Sequence, residues 1–130
     1  MPPKPPSVQR ATPIFFVDAI EPALVFWEGQ GWKTTVSVPH GDLLGFVILA
    51  SGDAQIMLQT RASLAEDLPA VAALGPASAL YVDVGSLAAA VARRGEARIL
   101  VKERETFYGA REAWVVDPAG TVVGFAESKS

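Results

Sequence analysis

Ile14-Phe15-Phe16-Val17 is a short, uninterrupted run of β-formers and reads as a buried strand. Behind it the apolar positions change period. Ile20, Ala23, Leu24 and Trp27 fall at i, i+3, i+4 and i+7, the spacing of an amphipathic helix, with Pro22 in its first turn and Gly29 and Gly31 closing it. Three strands are predicted near 32–39, 43–50 and 54–60, separated by Pro39-His40-Gly41-Asp42 and Ser51-Gly52-Asp53. Ser63-Leu64-Ala65-Glu66 is spaced as a capping box and predicts a short connecting helix, broken at Pro69 and ended by Gly75-Pro76. The pattern then restarts. A strand at 80–84 leads into an alanine-rich helix over 86–94, stopped at Gly95, and strands follow at 97–103, 110–116 and 121–127. Asp117-Pro118-Ala119-Gly120 is predicted to join the last two as a four-residue hairpin turn.

The order is thus strand, helix and three strands, a connector, and the same again. One offset of 67 residues carries Val17 onto Val84, Ile20 onto Leu87, Ala23 onto Ala90, Ile56 onto Val123 and Leu58 onto Phe125. The expected fold class is α+β, with two tandem βαβββ modules: module one 12–60, a connector 61–77 and module two 78–127. Ahead of them, Pro2, Pro3, Pro5 and Pro6 predict a flexible proline-rich arm over 1–11.

Composition narrows the function classes. The chain of 130 residues suits one domain, and no apolar run approaches the roughly 20 residues of a membrane span. The first residues lack the apolar stretch of a secretory signal. Without cysteine there is no disulfide, no thiolate chemistry and no cysteine-held metal, which is compatible with the expected cytoplasmic location. A net charge of −3 with scattered basic residues argues against nucleic acid as partner.

Several segments carry a family resemblance. Val17-Asp18-Ala19-Ile20-Glu21-Pro22-Ala23-Leu24-Val25-Phe26-Trp27 resembles the first strand–helix unit of the vicinal oxygen chelate superfamily, the glyoxalase, bleomycin-resistance and extradiol-dioxygenase group. Gln55-Ile56-Met57-Leu58-Gln59, Tyr108-Gly109-Ala110-Arg111-Glu112 and Asp117-Pro118-Ala119-Gly120-Thr121 are similar to later parts of it. The resemblance implies curved mixed sheets around a ligand cavity, and a homodimer. In catalytic members it also implies a divalent metal on His, Gln or Glu side chains, at the positions held here by Thr12, Met57, Ala79 and Gly124. A thioether is too soft for the metals of such sites, and Ala and Gly offer no donor. No metal and no cofactor is therefore expected. His40, the only histidine, sits in a turn and is read as a solvated turn residue.

Strand alternation extends the inward face from those four positions. It nominates Ile14, Phe16, Gln55, Gln59, Tyr81, Asp83, Val122 and Ala126. Pairing across Ser51-Gly52 is predicted to set Phe46 opposite Met57, which brings Phe46 and Ile48 inward. Pairing across 117–120 is predicted to set Ala113 opposite Gly124, turning Arg111 and Val115 inward and Trp114 and Phe125 toward the helices. The candidate ligand-binding residues are Phe16, Phe46, Ile48, Met57, Gln59, Tyr81, Asp83 and Arg111, with Arg61 and Tyr108 in nearby loops. An apolar, aromatic lining with a few polar groups suits a small organic ligand. The expected function is metal-free binding of a planar or amphipathic molecule, as in the bleomycin-resistance branch. The alternatives are a metal-independent isomerase or lyase using Asp83, Tyr81 or His40, a metal-dependent glyoxalase or dioxygenase, and an interaction module.

Overall fold

The computed structural model describes residues 7–128. The elements run β1 (Val8–Val17), α1 (Glu21–Gly29), β2 (Lys33–His40), β3 (Leu43–Ser51), β4 (Ala54–Thr60), α2 (Arg61–Asp67), α3 (Pro69–Ala72), β5 (Ser78–Val84), α4 (Leu87–Ala92), β6 (Arg98–Glu105), β7 (Ala110–Val116) and β8 (Val122–Ser128). They form two compact units, Thr12–Ser78 and the residues from Ala79 onward, which also take in the chain up to Ala11. The fold is α+β with two βαβββ modules.

Within module one the strand order is β2-β3-β4-β1, and within module two it is β6-β7-β8-β5. Each sheet is mixed. β1 runs parallel to β4 and β5 parallel to β8, while the remaining pairs are antiparallel. The parallel registers repeat. Ile14, Phe15 and Phe16 lie opposite Met57, Leu58 and Gln59. Adding 67 to each number gives the observed Tyr81, Val82 and Asp83 opposite Gly124, Phe125 and Ala126.

Each sheet packs one face on its own helix. In module one, Ile20, Val47, Leu49, Ile56 and Leu58 are buried against Ala23, Leu24 and Trp27 of α1. The Glu21 carboxylate accepts the Leu44 N–H at 2.8 Å, tying the start of α1 to β3. In module two, Val82, Val84 and Ala90 form the matching core with Val123 and Phe125. There the Glu127 carboxylate accepts the Leu87 N–H at 2.8 Å and Ser86 caps α4 through the Ala89 N–H.

Two local expectations are corrected. The connecting helix is capped by Thr60, whose hydroxyl accepts the Ser63 N–H, so α2 starts at Arg61 and Ser63 sits inside its first turn. Glu66 is then free to reach His40 at 2.7 Å instead of closing a capping box. The proline-rich arm was expected through residue 11, but β1 begins at Val8. No proline lies between Ser7 and Ala11 to block a ladder, and the Gly85 N–H donates to the Ser7 carbonyl. The remainder of the expected arm, residues 1–6, lies outside the described residues.

Candidate functional site

The face of each sheet turned away from its helix carries the candidate residues. In module one they form cross-strand rows. Phe46, Gln59 and Phe16 make one row and Ile48, Met57 and Ile14 the next, while Gln55 donates to the Thr12 hydroxyl at 3.1 Å. The expected partner of Met57 was Phe46. It is Ile48, because Ser51 pairs with Ala54 and the loop is Gly52-Asp53, with Gly52 at φ +59°. The slip is two residues, which preserves the face. Phe16, Phe46, Ile48, Met57 and Gln59 therefore do share one surface, as expected. Gln59 is anchored by donating to the Ser63 hydroxyl at 3.2 Å.

Module two departs from expectation by one residue. Trp114, not Ala113, lies opposite Gly124, and Arg111 lies opposite Glu127. The cause is the length of the last hairpin loop. The Asp117 N–H donates to the Thr121 carbonyl, which leaves only Pro118, Ala119 and Gly120 in the loop, with Gly120 at φ +92°. This is the three-residue hairpin with a left-handed closing residue. The Asp117 carboxylate stabilises it by accepting the Ala119 and Thr121 N–H groups. A single-residue change in register reverses the face of every side chain on β7. Arg111 and Val115 accordingly belong to the helix face. The Arg111 guanidinium is engaged by Glu127 and Glu103, and Arg111 is corrected as a member of the ligand-facing set.

The residues that replace it on the opposite face are Glu112 and Trp114. Glu112 is fully buried, at 0% exposure, in the middle of β7. Its Oε1 accepts Arg104 Nε at 3.0 Å, Arg104 Nη2 at 2.9 Å and Trp114 Nε1 at 3.0 Å. Its Oε2 accepts the hydroxyls of Tyr81 and Tyr108. Burying a carboxylate is costly unless its lone pairs are taken up, and here they are. Loss of water around the two hydroxyls and the neighbouring Glu112 charge push both phenols well above their ordinary value of 10.0, even though the rest of Tyr108 is largely exposed, so both hold their protons and donate. Asp83 shares the face, opposite Ala126, which in turn lies opposite Glu112. Burial raises the Asp83 carboxyl above its ordinary value, Arg10 pulls it back, and Glu112 raises it further.

The signal for this cluster was present but masked. Ala113, Trp114 and Val115 are all apolar, so alternation could not choose the face of β7. Glu112, a lone acid beside that apolar run, was the informative residue. Of the remaining candidates, His40 pairs with Glu66, and Arg61 donates to the Phe16 carbonyl at 2.9 Å.

The four positions that the resemblance assigns to metal ligands do not fit a metal. The Thr12 hydroxyl is engaged by Gln55, Met57 offers a thioether, and Ala79 has no donor. At Gly124 even a methyl group would meet the Trp114 ring at 2.7–2.8 Å, so the indole occupies the space a ligand side chain would need. No group of three or more His, Asp or Glu side chains among the described residues is arranged to hold a metal ion.

Several solved structures share the fold of this chain over nearly its whole length. One is described as a glyoxalase/bleomycin resistance protein/dioxygenase superfamily member from Vibrio splendidus 12B01. It matches with a TM-score of 0.67 at 19% identity, covering 94% of this chain and 100% of that one. Methylmalonyl-CoA epimerase from Mycobacterium tuberculosis matches with a TM-score of 0.69 at 18% identity, covering 100% and 94%. A hypothetical protein from Bacillus halodurans C-125 matches with a TM-score of 0.70 at 15% identity, covering 95% and 96%. No family model and no curated protein matches the sequence. The chain has the fold of the glyoxalase/bleomycin resistance protein/dioxygenase superfamily. Among the described residues, no helix is long and apolar enough to cross a membrane.

Proposed function

We propose that the protein binds a small organic molecule without a metal ion, and that each module offers its own sheet face for this, with Phe16, Phe46, Ile48, Met57 and Gln59 in module one and, separately, Tyr81 and Asp83 in module two. The observation that carries this reading is the Trp114 indole lying over Gly124, where a donor side chain is sterically barred. Apolar and aromatic surface with few, well-anchored polar groups gives shape and stacking rather than Lewis-acid chemistry. Native mass spectrometry of freshly purified protein, with elemental analysis after dialysis, is the test. The expected result is a bound organic mass and only traces of zinc, manganese, iron or nickel. One tight equivalent of metal would overturn the proposal. The same spectrum reads the proposed homodimer as twice the chain mass of 13.7 kDa.

A second reading, a metal-independent acid–base catalyst, is favoured by Asp83, a half-buried carboxyl whose proton affinity is raised. The two readings separate on the fate of the bound molecule. A binding protein returns it unchanged, and a catalyst converts it.

A further inference from the structure

Among the donors that reach Glu112, Arg104, Trp114 and Tyr81 stand on strands, and one, Tyr108, comes from a loop. Oε1 is saturated by three N–H groups from Arg104 and Trp114. Arg104 also balances the charge, so nothing calls for a second cation at Oε2. Tyr81, on β5 and 7% exposed, already gives Oε2 a fixed donor. The second donor, Tyr108, belongs to the β6–β7 loop and is 57% exposed, beside Phe107 at 86%. Among the described residues its hydroxyl is held by Glu112 and by the Tyr81 hydroxyl, 3.4 Å away. The loop itself is closed at its base by the Thr106 N–H to Ala110 carbonyl bond and turns at Gly109, with φ +84°. A buried strand residue and an exposed loop residue thus present the same chemical group to the same oxygen.

We infer that Oε2 of Glu112, together with the Tyr81 hydroxyl, forms a subsite for the hydroxyl of a phenolic ligand, and that Tyr108 occupies this subsite as a displaceable stand-in. The chemistry selects the class. A buried carboxylate oxygen accepts most strongly from an acidic neutral hydroxyl, and a phenol is a better donor than an aliphatic alcohol. An anionic head group would be repelled by Glu112, and a cationic one would compete with Arg104. The raised proton affinity of both tyrosines supports a site that keeps a phenol in its neutral, donating form. The ring of such a ligand would replace that of Tyr108, which the Phe107 ring meets edge-on at 5.1 Å between centroids. This inference rests on the proposal that the protein binds small molecules and names the ligand class for module two.

The test uses p-cresol, which is the tyrosine side chain as a free molecule, and toluene, which lacks only the hydroxyl. Each is titrated into the full chain carrying Tyr108→Gly, into Tyr108→Gly with Glu112→Gln, and into the wild type. Binding is followed by calorimetry and by the Trp114 indole N–H resonance, since that group donates to Glu112. In Tyr108→Gly, p-cresol is expected to bind at least about tenfold more tightly than toluene and to shift the indole signal, with the preference lost in the double variant. In the wild type it is expected to bind more weakly and to move the ring-carbon resonance of Tyr108, which toluene leaves in place. The wild-type measurement stands even where a variant does not fold. Equal effects of p-cresol and toluene, or no effect of p-cresol in any soluble form, overturn the inference. A bound non-phenolic molecule in native mass spectrometry would overturn it while leaving the metal-free binding proposal standing. A bound metal would sink that proposal and leave the p-cresol result untouched.

Discussion

Glu112 shows how much can hang on one side chain. It is the acceptor for Arg104, Trp114, Tyr81 and Tyr108, so replacing it by glutamine removes the charge facing the partly buried Arg104 guanidinium and leaves one amide oxygen to accept where two carboxylate oxygens did. Glu112→Gln is expected to destabilise the protein by about 3 kcal/mol in urea unfolding, in line with breaking one side of a buried ion pair. A loss below about 1 kcal/mol would show that the cluster is solvated rather than buried. Gly124 is the second decisive residue. Its missing side chain is what admits the Trp114 ring, so Gly124→Ala is expected to cost about 1–3 kcal/mol through overpacking. Much of that cost should vanish when Trp114→Leu is introduced first, because the clash partner is gone. Additive losses in that double-mutant cycle would contradict the contact.

The hairpins explain at element scale why the sequence revealed one module's face and not the other's. Both β3–β4 and β7–β8 were expected to place bulky residues inward from loop counting alone. In β3–β4 the miscount was even, and Phe46 and Ile48 stayed on the face of Met57. In β7–β8 it was odd, and Arg111 exchanged places with Glu112 and Trp114. The ambiguity is physical. Asp-Pro-Ala-Gly is compatible with a four-residue turn, and only the Asp117 N–H to Thr121 carbonyl bond makes it a three-residue one. The parallel pairings, Ile14 with Met57 and Tyr81 with Gly124, follow the 67-residue offset and depend on no turn count. The dependence on loop length can be measured. Deleting Ala119 leaves only Pro118 and Gly120 between Asp117 and Thr121. Because proline cannot take the positive φ of the favoured two-residue loops, the hairpin must recruit another residue, which shifts the register and drives Glu112 and Trp114 to the opposite face. The deletion is expected to abolish cooperative thermal unfolding or lower the midpoint by at least roughly 5–10 °C, the shift that a 1–2 kcal/mol loss produces in a domain of this size. An unchanged midpoint would mean that the loop does not set the register.

At the scale of the whole molecule, the repeated architecture places carboxylates in two opposite electrostatic situations, and pH distinguishes them. Glu21 and Glu127 each accept a backbone N–H from a neighbouring element, at Leu44 and Leu87, and Glu127 also accepts from Arg111. These bonds hold both carboxyls below their ordinary value of 4.5. A group whose proton affinity falls on folding stabilises the native state at pH values above its unfolded value. That contribution disappears as the pH drops through the folded one. Asp83 runs the other way. Its carboxyl is raised above 3.8, chiefly by burial, so the folded chain bears a cost once the pH exceeds that value and none when the group is protonated in both states. Arg10 offsets part of that cost and Glu112 adds to it. Thermal midpoints measured from pH 3 to pH 7 should therefore diverge in opposite directions for two conservative variants. Glu127→Gln is expected to lower the midpoint at pH 7 and to approach the wild type near pH 3. Asp83→Asn is expected to raise the midpoint at pH 7 and likewise to converge with the wild type in acid. Parallel curves for Asp83→Asn and the wild type would show that Asp83 titrates as a solvated carboxyl, and the acid–base reading that depends on it would fall.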